Sequence, residues 1–295
     1  MMVGTLNTFF HDQIKRAIAA AKVPSIVTEE NVFQEEDLNI LPILDEMVEA
    51  LALPGSGLDG LENLEELYAK AESGKSCLLL SEHYSNMDLS IVSLMARKAG
   101  GRGYEIGNSL IAIAGMKLNE DNRAIAAFAG AYSRIVIYPS RTLLDLDPEK
   151  DKAEFLRGNA INRAAMKAII RNKYKGKLIL VFPSGTRYRP WDPESKKGVR
   201  DIDAYIRSFD YMCFIALNGQ IMGVEKSNMI NDAVYKDLVR VTVSPVVSCK
   251  EFRDKITAAT GDDEDKKQSV ADGIMNELEK MHVTAERERQ KSLQD

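Results

Sequence analysis

Apolar positions along the chain follow two rhythms that change near residue 72. Before it, Thr28 with Asn31, Leu38-Asn-Ile40-Leu-Pro-Ile-Leu44 and Leu61-Glu-Asn-Leu64 read as helical stretches, interrupted by Pro42 and by PGSGLDG, with no convincing strand. The opening MMVGTLNTFFHDQIKRAIAAAKVPS has amphipathic-helix spacing rather than the apolar core and small-residue cleavage site of a secretion signal. From residue 76, short apolar runs (SCLLLS, RIVIYP, KLILVFP, YMCFIALNG, VRVTVSPVV) alternate with longer segments, two of which carry helical spacing. The pattern predicts an α/β fold. A small N-terminal helical bundle over residues 1–72 precedes a larger α/β domain over 73–295, with a mixed central sheet flanked by helices.

The clearest helix between strands is expected from just after Pro148 to about Tyr174. Ala153, Leu156, Ala160, Ala164 and Ile169 form its buried face, Gly176 stops it, and it links RIVIYP to KLILVFP as a crossover. Near the C-terminus an acidic loop, TGDDEDKK, leads to a helix on Val270, Ile274, Leu278 and Met281 that ends in a frayed, charged tail. The most apolar stretch, SLIAIAGM then AIAAFAGA, is broken by KLNEDNR. Neither half approaches the roughly 20 residues that cross a bilayer, so no membrane span is expected.

With 295 residues, 45% of them hydrophobic, the chain can bury a sizeable core. The formal charge of −5 offers no general attraction for nucleic acid or an anionic membrane, so an acidic partner must meet a local basic patch. Cys77, Cys213 and Cys249 are odd in number, far apart and set among apolar neighbours, which reads as reduced core thiols.

Chemistry gathers first in LLLSEHYSNMDLSIVSLMAR. Five residues along an α-helix is about 140° of rotation, so His83 and Asp88 face apart unless the chain turns between them. The sequence supplies the turn: SCLLLS ends, Tyr84-Ser85-Asn86 offers capping residues, and Leu89, Val92, Met95 and Ala99 then repeat helically up to Gly100-Gly101. Asp88 in the first turn would fix the tautomer of His83 just outside it, leaving the other ring nitrogen as a general base. Ser85-Asn-Met-Asp88 is also a capping-box pattern that favours a helix start whatever the chemistry, and both readings stand at this point. Glu82 is the only other acidic residue close by, too few ligands for a metal, and no G-x-S-x-G elbow activates a serine.

The second concentration is LILVFPSGTRYRP. If the chain stays extended after the Pro-Ser-Gly turn, Arg187 and Arg189 share a face and Tyr188 takes the other. Two guanidinium groups suit a phosphate, although an Arg-x-Arg beside a turn is also an ordinary surface salt-bridge pair. Both segments follow strands, where open α/β sheets bind their ligands.

Together, His83-x4-Asp88 and, about a hundred residues later, Phe182-Pro-Ser-Gly-Thr-Arg187 resemble the glycerolipid acyltransferase superfamily. Its membrane-bound branches typically carry Phe-Pro-Glu-Gly-Thr-Arg, whereas soluble plastid-type glycerol-3-phosphate 1-O-acyltransferases carry Pro-Ser-Gly-Gly-Arg-Asp-Arg-Pro. Pro183-Ser-Gly-Thr-Arg-Tyr-Arg-Pro190 follows the soluble form in Ser184, Arg189 and Pro190. The similarity extends through Ile113-Ala-Gly115, Tyr138-Pro-Ser-Arg141 with Asp147-Pro148, Phe214-Ile-Ala-Leu217 and Val241-Thr-Val-Ser-Pro245, most of residues 76–290.

The resemblance implies acyl transfer from a thioester of acyl carrier protein or coenzyme A to the sn-1 hydroxyl of glycerol 3-phosphate, giving lysophosphatidate, with no metal or organic cofactor. His83 is then the general base, Asp88 its support, and Arg187 and Arg189 the phosphate ligands. Arg141 stands where the family has a Ser-Lys-Lys-His run, so this chain departs from the pattern there. Such a reaction also needs an oxyanion stabiliser, for which backbone amides near the helix start after His83 or around Ser184 and Gly185 are the alternatives, Ser184 and Gly185 otherwise being loop contacts. An acidic carrier would meet Arg171-Asn-Lys173-Tyr-Lys175-Gly-Lys177 or Lys196-Lys197-Gly-Val-Arg200. Nucleic acid is not expected as a partner, a peripheral membrane contact is allowed, and the expected location is cytoplasmic and bacterial-like. Lysophosphatidate acyltransferase, or a non-catalytic binder of phosphate ligands, are the alternatives.

Overall fold

A computed structural model describes the chain apart from Ser25, Lys117, Asn119, Glu120, Asp121, Ser227, Asn228 and Asp295. Most of the KLNEDNR break lies outside the described residues. The chain opens with β1 (Met2–Thr5), α1 (Leu6–Phe9), α2 (His11–Ala20), β2 (Phe33–Gln34), α3 (Leu41–Leu51), β3 (Gly57–Asp59) and α4 (Leu61–Glu72). Helical spacing governs here, with Leu6, Phe10, Ile14 and Ala17 buried on one face. The strands β1, β2 and β3 are too short to display a period, and sequence reading misses them. Pro42 opens α3 instead of interrupting it, at a position where its missing N–H is not needed. Thr28 and Asn31 form a turn, the Thr28 N–H donating to Asn31 Oδ1 at 2.7 Å, and not a helix.

The alternating part begins with β4 (Cys77–Ser81), α5 (Asp88–Lys98), α6 (Gly103–Gly107), β5 (Leu110–Gly115), α7 (Arg123–Gly130) and β6 (Arg134–Ile137). It continues through α8 (Ser140–Leu144), α9 (Lys152–Asn172), β7 (Leu178–Val181), α10 (Ile202–Ser208) and β8 (Tyr211–Asn218). Short strands β9 (Met222–Gly223), β10 (Ala233–Tyr235), β11 (Arg240–Val243) and β12 (Val247–Ser248) precede the closing helices α11 (Cys249–Ala259) and α12 (Lys266–Ser292). The apolar run SLIAIAGM, left unassigned by its pattern, contains β5.

The nine-stranded mixed sheet runs β2-β6-β5-β7-β4-β8-β11-β3, with β12 also on β8. β6, β5, β7, β4 and β8 are parallel neighbours, so their carboxyl ends lie along one edge. A second sheet, β1-β10-β9, is antiparallel. The α/β class with a mixed sheet between helices is therefore as predicted.

Successive residues of a strand point to opposite faces, and here that alternation divides the core in two. Cys77 and Leu79 of β4, Leu178 and Leu180 of β7 and Cys213 and Ile215 of β8 pack with α1 to α5 and α7. Leu78 and Leu80, Ile179 and Val181, and Met212 and Phe214 pack with α9 to α12. Both faces are covered, which is why these strands are continuous apolar runs. Residues 1–72 thus supply much of one helical layer and edge strands to both sheets. All three cysteines are buried and free, and burial pushes the thiols of Cys77 and Cys213 up to about 12, leaving them protonated and inert.

Two helices differ from expectation. α9 buries Gly158, Ile161, Ala165, Ala168 and Ile169, a face rotated from the predicted one, and Leu156 is exposed. α12 buries Val270, Ile274 and Leu278 but stays helical to Ser292 where fraying is expected. Arg289 holds its end down, donating to Asp237 Oδ1 at 2.9 Å and to Glu286.

Candidate active site

The carboxyl ends of β4 and β7 are neighbours, and each releases one of the two motifs. After β4 the chain passes through His83 and turns so that Asp88 starts α5, buried at 2% exposure. His83 Nδ1 lies 2.8 Å from Asp88 Oδ2. The same oxygen accepts the backbone N–H groups of Tyr84 at 2.6 Å and Ser85 at 2.9 Å, while Oδ1 accepts the Ser85 hydroxyl at 2.6 Å. The carboxylate is an acceptor on all sides, so Nδ1 carries the proton and Nε2 is the acceptor nitrogen. The capping box expected from Ser85-Asn-Met-Asp88 does not form: Met87 is the N-cap, no side chain caps α5, and Asp88 is its first residue, while the Ser85 N–H to Asp88 and Met87 N–H to Ser85 Oγ bonds tighten the turn before it. That turn leads the chain into α5 and holds Asp88 against the histidine.

After β7, Phe182 stacks on the His83 ring with centroids 4.0 Å apart and planes 16° apart. Six residues further on, the two segments meet again where Tyr188 N–H donates to the His83 carbonyl at 2.8 Å. Arg187 is the residue before this junction. Its guanidinium, 13% exposed, donates to Asp232 Oδ2 at 2.7 Å, and Asp232 is fully buried with Oδ1 accepting the Glu225 N–H. Tyr188 diverges from it, meeting Tyr84 edge-on and lying under Lys196.

The backbone does not stay extended through Arg189, as the shared-face reading required. The chain bends there into a bridge with Asp192, whose carboxylate is 3.7 Å from an Arg189 side chain 40% exposed. Arg141 stands in α8 beyond β6, on the same sheet edge but exposed. β5 and β7 separate β6 from β4, a backbone offset of about 14 Å. Among the described residues Arg141 makes no ion pair, and no contact ties it to His83, Arg187 or Arg189.

Ser184 and Gly185 shape the turn. Gly185 N–H donates to the Phe182 carbonyl at 2.9 Å, and the Ser184 hydroxyl donates to the Thr186 carbonyl at 2.7 Å. Gly185 has φ +64, and a Cβ there would lie 3.2 Å from Val199 Cγ1. The amides of Tyr84, Ser85, Met87 and Gly185 are therefore already engaged and are not open oxyanion donors. Of the basic runs offered for a carrier, Lys196, Lys197 and Arg200 are paired with Glu279, Glu194 and Asp265.

Sequence reading also misses a second histidine–carboxylate pair. Glu82, 5% exposed, accepts from Tyr84 OH at 2.7 Å and Leu217 N–H at 2.8 Å, and lies 2.9 Å from Nδ1 of His282 on α12. Burial opposes protonation of His282, but its hydrogen bond to Glu82 and that carboxylate's charge outweigh it and raise the pKa above 6.5. Burial, with the Glu82 charge, raises the Tyr84 phenol strongly, so it stays a donor. Asp232 and His282 had no sequence signal beyond the rule that a buried cation needs an acid.

Among the described residues no cluster of His, Cys, Asp and Glu is placed to hold a metal ion, and no helix is long and apolar enough to cross a membrane. No family model matches the sequence, and no curated protein does.

Proposed function

We propose that the chain is an acyltransferase that moves a fatty acyl group from a thioester to the sn-1 hydroxyl of glycerol 3-phosphate. The observation that carries this reading is the double junction of the two motifs, the His83–Phe182 stack and the Tyr188–His83 hydrogen bond. It joins the segment of the Asp88-bonded imidazole to the segment of an arginine anchored on a buried carboxylate, which supports a shared site. In the reaction His83 Nε2 accepts the proton of the attacking hydroxyl as its oxygen bonds to the thioester carbon. The tetrahedral intermediate then collapses, the C–S bond breaks, and the thiolate takes the proton from the imidazolium. Asp88 steadies the imidazolium through Nδ1. Arg187 holds the substrate phosphate, and positioning of this kind is worth roughly 7 kcal/mol or more of barrier. Arg187 is the arginine anchored on a buried carboxylate, which supports it as the principal phosphate ligand, with Arg189 and Arg141 as further candidates.

The test is a purified-protein assay pairing glycerol 3-phosphate or lysophosphatidate with acyl thioesters of acyl carrier protein and coenzyme A. Acylation of glycerol 3-phosphate is expected. Acylation of lysophosphatidate alone would transfer the reading to the second acylation step, and binding of glycerol 3-phosphate without transfer to any donor would reduce the chain to a binding protein.

A further inference from the structure

We propose that the outer face of α9 docks on an anionic lipid bilayer, independently of the candidate active site. Ile161, Ala165, Ala168 and Ile169 are buried, which fixes the helix against rolling and decides which side faces out. That outer side carries large apolar residues where a surface helix is ordinarily polar: Met166 and Ile170 are 46% and 52% exposed, and Tyr174 just past the helix end is 52% exposed. At about 100° per residue, Arg163, Lys167 and Ile170 fall within about 60° of arc, with Met166 and Arg171 on its two flanks, and Tyr174 lies in the turn just past the helix end. Arg163, Lys167 and Arg171 are all exposed, and among the described residues none of the three makes an ion pair.

Charge points to the kind of surface. From Phe155 to Lys177 the chain has basic residues and no acidic one, although its net charge is −5. The helix dipole accounts for Arg171 in the last turn, but it fades within that turn and leaves Arg163 and Lys167 unexplained. Basic residues interleaved with large apolar ones on a fixed helix face combine attraction to anionic headgroups with insertion at their boundary.

Position separates a bilayer from an acyl carrier. α9 returns from the carboxyl end of β6 to the amino end of β7, so the patch lies at the opposite sheet edge from His83. A carrier delivering its acyl group to His83 would gain little by binding there. A surface that simply holds the protein, leaving the site open to water, fits the placement. The inference stands whether or not the chain transfers acyl groups.

Co-sedimentation with phosphatidylglycerol–phosphatidylcholine vesicles, compared with phosphatidylcholine alone and with added salt, tests it. Wild type is expected to bind the anionic vesicles only and to be released by salt. The triple variant Arg163→Glu, Lys167→Glu, Arg171→Glu is expected to lose at least about 100-fold in partitioning. Ile170→Asp alone should weaken binding while the far-UV circular dichroism of both variants matches wild type. Equal binding to neutral vesicles, no binding by wild type, or undiminished binding by the folded triple variant overturns the proposal. So does self-association, or capture of acyl carrier protein, that the triple variant abolishes when vesicle binding is absent.

Discussion

Asp88 and Asp232 solve the same problem for different partners: each is a buried carboxylate that gives a working side chain one orientation. For His83 the partner fixes a tautomer, so His83→Ala should lower kcat by about 10²- to 10⁴-fold while glycerol 3-phosphate still binds. Isothermal titration beside the kinetic assay separates the two, and equal turnover by wild type and variant would remove the general base. For Arg187 the partner fixes a direction. Asp232→Asn keeps the shape but weakens the hold, and the KM for glycerol 3-phosphate should rise about tenfold with kcat nearly unchanged. Arg187→Ala raises the same KM but also strands Asp232 in the core, costing about 3 kcal/mol in denaturant unfolding. An unchanged KM in both would dissociate Arg187 from the phosphate. Gly185→Ala acts on neither group, yet it should cost about 1–2 kcal/mol because φ +64 is left-handed.

The end of β4 shows how a strand distributes chemistry, since adjacent residues emerge on opposite faces and Glu82 joins α12 while His83 joins α5. His282 pairs with Glu82, meets Tyr84 OH at 3.3 Å, and has Glu279 and Lys196 in its surroundings. Because its folded pKa is raised, the pair stabilises fully below the ordinary histidine value and loses that stabilisation as pH climbs through the folded one. His282→Gln should therefore lower Tm more near about pH 6 than near about pH 9. A pH-independent difference would mean that the histidine never charges in the fold. Local chemistry of this kind is only partly legible in sequence. The His83–Asp88 pair is readable because it spans five residues and one turn. Arg187–Asp232 and Glu82–His282 span 45 and 200 residues, for which spacing has no rule. Elements divide similarly. β4, β7 and β8 announce themselves as long apolar runs, whereas β5 is alanine-rich and reads equally as helix or strand. In α9 the buried positions are mostly small and the exposed ones include Leu156, Met166 and Ile170, so hydrophobicity points to the wrong side.

At the scale of the molecule, the change of rhythm near residue 72 marks a passage between layers of one structure. Leu6, Phe10, Leu44, Met47 and Leu51 belong to the same cluster as Leu79, Leu180 and Ile215 of the central strands. β3 lies beside β11, β2 beside β6 and β1 beside β10, so the first 72 residues also cover three strand edges. Asp232, which orients Arg187, receives the Leu6 N–H on its own carbonyl, carrying the dependence into the candidate site. Residues 73–295 produced alone would expose one apolar face of the sheet and unpaired edges, each buried Leu or Phe forfeiting about 1.5–3 kcal/mol of burial. That fragment should aggregate or lack a cooperative thermal transition, and adding residues 1–72 as a separate polypeptide should restore one, together with acyl transfer. A soluble fragment with a sharp transition of its own would instead make the N-terminal layer a dispensable attachment, and the sharing of the core would carry no energetic weight.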